Sequence, residues 1–464
     1  MFWNKMFHFR GAKREKMLEY CRSVVLLERR ENVMNYSATL MKLLEHSYSA
    51  FHAVNNMETL LIAKGFTKLD EKKPWNLKAD GKYFVERNQS SIIAFRLPHV
   101  KSFVFQLTAS HTDSPTFKLK PNPLLIRGNS LMLDVEPYGG GIYNTWMDKP
   151  LSIAGRVLVE ANGKADSYLF ADDEDLSVIP NLAIHMNRQI NTNANYNPAI
   201  DMLPLLGKAD MKFDFNKWLL NKLALTKGQV LAHDLFLYNR QKPTICGING
   251  EYLLSPRLDD LASSYSCLLG FLEAKKNLNM DIYASFDNEE VGSLTKQGAN
   301  STFLKDTLRR LVASLGGGEE DYYMAVNRGC LLSVDNAHAN HPNHPEISDP
   351  TTSVTLNGGI VIKYNANQSY TSDAFSSAIV KALCRKNSLR YQEFTNRSDL
   401  RGGSTLGNIS NAEVSFTSVD IGLPQLAMHS ASELMGIDDI KDMVTLIKTF
   451  YSSDYQAVDN GFSI

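Results

Sequence analysis

Residues 281–293 read Asp-Ile-Tyr-Ala-Ser-Phe-Asp-Asn-Glu-Glu-Val-Gly-Ser. The first six have the composition of a buried strand, and the turn that follows carries two adjacent carboxylates, Glu289 and Glu290. Leu331–Val334 and Gly359–Tyr364 repeat the strand-like pattern, with helical stretches between them. A final amphipathic helix is marked by Ile440, Met443, Val444, Ile447 and Phe450 at three-and-four spacing. Strand and helix in alternation predict an α/β core over residues 255–464.

Working outward, residues 34–118 read as the first part of the same domain. A helix capped by Ser37 is predicted from Tyr36 to near Gly65, with Leu40, Met41, Leu44, Tyr48 and Phe51 on its apolar face. Short β-rich runs follow at Lys82–Val85, Ser91–Leu97 and Ser102–Thr108, the last leading into Ser110-His111-Thr112-Asp113-Ser114-Pro115. From 119 to 254 short strand-like segments alternate with Gly, Pro and Asn, so this stretch reads as an inserted, mainly β domain. Residues 1–33 carry eight basic and four acidic residues. They read as an N-terminal extension, either a basic docking arm or a loosely packed tail ahead of a start at Met34.

The whole chain has 464 residues, 49 Lys+Arg against 50 Asp+Glu, and 44% apolar positions. A near-neutral balance gives no electrostatic footprint for nucleic acid or a membrane surface. No apolar run approaches the roughly 18 residues that span a bilayer. The Val24–Leu27 run is too short for a secretory signal. Five scattered cysteines without a C-x-x-C pair point to a reducing, cytoplasmic compartment.

Five segments place His or carboxylate where predicted strands end: His111 in SHTDSP, Asp259 and Asp260 in SPRLDDL, Glu289 and Glu290 in DNEEVGS, Asp335 in VDNAHA, and His429 in AMHSASE. Open α/β sheets build their sites at strand carboxyl ends. Mixed imidazole and carboxylate donors suit Zn²⁺, with Co²⁺ and Mn²⁺ also accommodated. Two ions sharing one carboxylate need five such ligands, and one acid is then left to take a proton from water. Each segment alone has a plainer reading, as a hydrogen-bonding His or a solvated acidic turn. Only their conjunction points to metal-assisted hydrolysis. His338, His341 and His344 are interrupted by Pro342 and Pro345, so they read as loop-structuring or ligand-orienting groups.

The series SHTDSP, YGGG, AGRV, IPNLAIH, SPRLDDL, DNEEVGS, VDNAHANHPN, KYNANQ, RSD, GGSTLG and PQLAMHSASE resembles the aspartyl aminopeptidase family of dinuclear zinc exopeptidases, from about residue 34 to about 455. The resemblance implies an α/β, mixed-sheet zinc exopeptidase sandwich with an inserted β oligomerisation domain. It implies two Zn²⁺ per subunit, one held by His111 and Asp335, the other by Glu290 and His429, with Asp259 bridging and Glu289 as general base. It further implies that Lys363 meets an acidic N-terminal side chain of a peptide substrate, and that His185 reaches into a neighbouring subunit's site. A tetrahedral homo-dodecamer is the assembly it implies. Arg401, where relatives often have Cys, and Asn181, where some have a second His, depart from the pattern. On the residues alone, a metal-dependent deacylase or carboxypeptidase, or a non-catalytic scaffold, remains open beside an aminopeptidase.

Overall fold

A computed structural model of the chain describes residues 35–99, 102–210, 212–275, 278–403 and 405–464. The expected extension over 1–33 lies outside the described residues. The described chain forms two compact units. A β unit comprises Pro115–Lys242 with His429–Ser432, and a sheet unit comprises Asn35–Ser114, Pro243–Met428 and Glu433–Ile464.

The sheet unit is built on a nine-stranded mixed sheet. Its order is Thr67–Lys68, Lys82–Arg87, Ser91–Arg96, Met280–Phe286, Phe105–His111, Cys330–Val334, Thr417–Gly422, Ile360–Tyr364 and Tyr391–Thr395. The four strands from Met280–Phe286 to Thr417–Gly422 are mutually parallel, and antiparallel neighbours flank them. Strand Phe105–His111 sits in the middle and is buried along its whole length. Its Phe105, Leu107 and Ala109 pack with Ile282, Ala284 and Phe286 against Leu304, Leu308 and Leu311 of helix Phe303–Ser314. Its opposite face is polar, yet satisfied. The Gln106 side-chain amide donates to Phe450 O at 2.6 Å, and Thr108 bonds the Tyr451 hydroxyl at 2.7 Å, both partners in helix Ile437–Ser452. Burial on both faces with every polar group partnered is how a central parallel strand stays fixed in register. Helix Leu258–Glu273 also packs closely on Ile437–Ser452, because Gly270 has no side chain to keep Ile447 away: a Cβ there would lie 2.7 Å from the Ile447 Cβ.

A second sheet of the same unit, in the order Thr244–Cys246, Tyr252–Ser255, Glu433–Gly436, Pro424–Leu426 and Ala337–His338, explains where the domain limits fall. The 119–254 segment expected from composition is shifted, since Thr244–Cys246 and Tyr252–Ser255 pair with each other and with Glu433–Gly436, strands of the sheet unit. At the other end, strand Thr116–Arg127 already belongs to the β unit. That unit is a six-stranded antiparallel sheet, Lys164–Ala171, Leu151–Ala161, Gln229–Asn239, Thr116–Arg127, Ser130–Tyr138 and Leu205–Lys208, around a core that includes Phe117, Leu133, Ile153 and Leu235.

The single helix expected from Tyr36 is instead two, Tyr36–Glu45 and Ala50–Ala63. Asn35, not Ser37, caps the first by accepting the Ala38 N–H. The break is set by Ser47, whose hydroxyl donates back to Leu43 O and meets the Tyr265 hydroxyl. No helix among the described residues is long and apolar enough to cross a membrane. The four cysteines among them are free thiols.

His52, buried in the second of these helices against Ser49 and Tyr48, has its imidazole pushed down to about 3 by burial, with the Arg257 guanidinium and His46 adding to the effect. A base depressed in the folded state contributes stability that is complete above its ordinary pKa of 6.5 and is lost as the pH falls through the window from 6.5 to 3. Unfolding free energy should therefore fall in that window by up to about 1.4 kcal/mol per pH unit from this one proton. Denaturant titrations of His52→Gln should show a shallower acid limb than wild type, and equal limbs would refute the assignment.

Candidate metal centre

The central parallel strands deliver their carboxyl ends to one region. Phe105–His111 ends on His111, Met280–Phe286 runs into Asp287 and the short turn Glu289–Val291, and Cys330–Val334 runs into Asp335. A fourth element arrives from the side. Arg257 adopts a left-handed conformation, and Asp259 and Asp260 are non-helical at the start of Leu258–Glu273. That geometry frees the Asp259 N–H for the Glu433 carboxylate at 2.9 Å and places Asp260 Oδ2 3.1 Å from the His111 N–H.

Six of the candidate residues come together here, in two groups that share His111. His111 Nε2 lies 3.5 Å from Asp259 Oδ1 and 3.7 Å from Asp335 Oδ1. Donor atoms of His111, Asp259, Asp260 and Asp335 all fall within 4.8 Å of one another, as do those of His111, Glu289 and Glu290. Separations of 3.5 and 3.7 Å are long for a good hydrogen bond. They are close to the roughly 3.3 Å between neighbouring donors in a tetrahedral zinc site with bonds of about 2.0 Å. The ring is also oriented for this: Nδ1 faces Asp113 O at 3.2 Å and Asp113 Oδ1 at 3.4 Å, leaving Nε2 toward the carboxylates.

The electrostatics carry the same message. Burial pushes the Glu289 carboxyl up to about 7; nearby His111 opposes this, while Asp335, Asp113 and Asp259 add to it. Asp260, wholly buried, is pushed well above the carboxylate range by burial, with Asp335 and Asp259 adding to the effect against His111. Burial alone would lower His111, but hydrogen bonding to Asp113, Asp259 and Asp335 raises it instead. So many acids in one dry space are stable as anions only beside positive charge, and a divalent cation supplies it. The donor set therefore fits zinc.

Comparison with known proteins agrees. Residues 43–451 match the family model described as aminopeptidase I zinc metalloprotease (M18). The chain belongs to the M18 family of zinc aminopeptidases. It is 43% identical over 435 residues to a protein of Clostridium acetobutylicum named probable M18 family aminopeptidase 2, covering 91% of this chain and 100% of that one. Among solved structures it resembles that of the Ape4 and Nbr1 complex, with 31% identity, a TM-score of 0.86, and coverage of 95% and 87%. The fold also matches the S. cerevisiae mApe1 dodecamer, with 24% identity, a TM-score of 0.78, and coverage of 89% and 96%. The M18 chain is thus a hydrolase of the aminopeptidase class, with a mixed α/β zinc exopeptidase fold.

His429 is in the β unit, with φ +66°, and its Nδ1 faces Gly140 O at 3.1 Å. His185 is in an exposed turn of the β unit. Asn181, the departure from the family pattern, clamps the start of that turn by donating its N–H and side-chain amide to the two Asp148 carboxylate oxygens at 3.0 and 2.8 Å. Lys363 is only 2% exposed, and its ammonium donates to Asp335 O at 2.8 Å and Asn336 O at 3.2 Å. His341 and His344 lie on a loop outside the cluster with ring centroids 5.2 Å apart and planes tilted by 42°, and Arg401 is exposed.

Sequence reading missed Asp113. Its two carboxylate oxygens accept the N–H groups of Glu289 and Glu290, each at 3.2 Å, while the same residue orients His111. One side chain thus ties two ligand-bearing strand ends together, and its position two residues after His111 in the same turn was the available signal. Asp113→Asn puts an amide N–H against those donors. It should cost about 10- to 100-fold in zinc affinity or kcat, as loss of a ligand-orienting partner does, and metal content after dialysis, measured beside kcat, checks this.

Proposed function

We propose that the chain is a cytoplasmic dinuclear zinc aminopeptidase that releases acidic residues from the free N-terminus of peptides. The observation that carries the reading is the surplus carboxylate. Glu289 and Glu290 are adjacent at one strand end, and both share the neighbourhood of His111. His111, Asp259 and Asp335 supply donors for one ion. In this reading Asp259, Glu290 and His429 would hold a second ion. Zinc held by these residues would supply a water whose pKa is lowered from 15.7 to about 7 and a Lewis acid for the scissile carbonyl. Glu289 then takes the proton of the attacking water and passes it to the departing amine. Its carboxyl, raised toward neutrality by burial, is suited to both halves of that exchange.

The acidic preference rests on Lys363. Its ammonium bonds the main-chain carbonyls of Asp335 and Asn336 and lies 3.7 Å from the Asp335 carboxylate, and in this reading the same charge meets an N-terminal Asp or Glu. The assembly proposed is a homo-oligomer, with a tetrahedral dodecamer as its fullest form; the mApe1 structure named above is a dodecamer. Leu182, Ile184 and Met186, flanking His185, are 56, 47 and 76% exposed in the single chain, an apolar ridge suited to burial by another copy. His185 is proposed to act from there on a neighbouring subunit's substrate. Free thiols suit a reducing cytoplasm.

Glu289→Gln should retain zinc and lose about 10²- to 10⁴-fold in kcat, the usual worth of a general base. Activity that survives this change would remove the proposed base, and hydrolysis of N-acylated peptides at the rate of free ones would favour a deacylase. Lys363→Met should lower kcat/KM for Asp- and Glu-initiated peptides about tenfold or more relative to Ala-initiated ones. An unchanged ratio would sink the specificity assignment.

A further inference from the structure

The cluster needs Asp259 and Asp335 held at a set separation, yet they come from a helix start and a strand end that are far apart in the chain. Asp335 is fixed on its own side. Its N–H donates to Ile421 O at 3.0 Å, its carbonyl accepts from Lys363, and Gly422 backs it so closely that a Cβ would lie 2.1 Å from Asp335 O. The segment bearing Asp259 is joined to it through the next residue. Asn336, 3% exposed, donates its side-chain amide to Leu258 O at 2.8 Å, immediately before Asp259, and to Gln425 Oε1 at 2.8 Å. Its side-chain carbonyl accepts the Ser263 hydroxyl, one helical turn beyond Asp259 and Asp260. Both amide hydrogens and the amide oxygen are therefore engaged, two of the three in helix Leu258–Glu273.

We propose that Asn336 is a positioning residue whose side chain sets the separation between Asp259 and Asp335 and thereby the zinc affinity of the pair with His111. The proposal rests on the reading that these three residues hold zinc. A buried amide with all its bonds made tolerates one geometry only, since any slip of the helix start leaves a donor or acceptor unpaired at low dielectric. Lys363 reinforces the clip from the main-chain side by bonding Asp335 O and Asn336 O together. A hydrophobic residue of the same size would fill the space but would leave the two segments free to slide.

The test is the zinc dissociation constant, measured by chelator competition, with the thermal midpoint of the metal-free protein read beside it. Asn336→Ala should weaken zinc about 10- to 100-fold, and Ser263→Ala, which removes one of the three bonds, by a smaller factor of at least about three. Ser47→Ala breaks the Ser47–Tyr265 contact elsewhere in the unit; it should lower the midpoint and leave zinc affinity within twofold of wild type. His111→Ala separates the two levels. If it weakens zinc and both Asn336→Ala and Ser263→Ala leave affinity within twofold of wild type, the positioning role is wrong. If His111→Ala itself changes nothing, the metal reading beneath it fails and takes the proposal with it. Should Asn336→Ala not fold, Ser263→Ala decides alone.

Discussion

The centre depends on a charge problem. His111, Asp259, Asp260 and Asp335 are buried together, and the Asp260 and Glu289 carboxyls are driven upward by desolvation. A protein does not keep such a group of acids dry without a positive charge to share. The one imidazole among them would be lowered by burial, and hydrogen bonding to Asp113, Asp259 and Asp335 raises it instead. The sheet supplies the means of bringing these groups together: parallel strands end at one edge, so residues from 111, 289 and 335 meet although nothing in their sequence neighbourhoods is shared.

Much of this was legible from residue patterns, for physical reasons. Apolar runs such as Met280–Phe286 and Cys330–Val334 are buried on both faces, so their hydrophobicity is continuous and their ends are sharp. Polar residues placed just after those ends stand out. What a pattern conveys poorly is the division of labour between neighbours. Asp259 and Asp260 look alike in the sequence, yet the backbone turns one toward His111 Nε2 and the other toward the His111 N–H. Asp113 was hidden by the same ambiguity, since an acid in a Thr-Asp-Ser-Pro turn reads as solvated. The helix break at 46–49 was hidden because the apolar spacing continues across it, while the interruption comes from a hydroxyl bonding Leu43 O. The β domain's limits were displaced because strand pairing, not composition, decides which sheet a short segment joins.

Lys363 illustrates how burial changes the meaning of a residue. At the sequence level a lysine at a strand end is a free ammonium, and a resemblance assigns it a substrate. In the fold it lies across the carbonyls of Asp335 and Asn336, with the Tyr370 ring 5.2 Å from its nitrogen, and carboxylates including Asp335 and Asp420 hold its pKa up against burial. A charge so placed acts on the protein before it acts on any ligand. The proposed specificity and the architecture around Asp335 therefore draw on one group. A change in substrate ratio separates the two roles where a change in rate does not.

The polar face of strand Phe105–His111 belongs to the same logic. A sheet meant only for stability would pack apolar residues against helices Leu258–Glu273 and Ile437–Ser452. Here Gln106, Thr108 and Ser110 face them, each with a named partner. Each such bond is worth only about 0.5–1.5 kcal/mol net, so the gain in stability over well-packed leucines is small. The gain in position is larger, because hydrogen bonds are directional and apolar contacts are not. Ser110 bonds Ser264 and Ser285 and thereby fixes the strand one residue before His111 relative to both the helix that carries Asp259 and the strand that leads to Glu289. A centre that needs donors within a few tenths of an ångström is thus served by a core that forgoes some apolar packing for alignment.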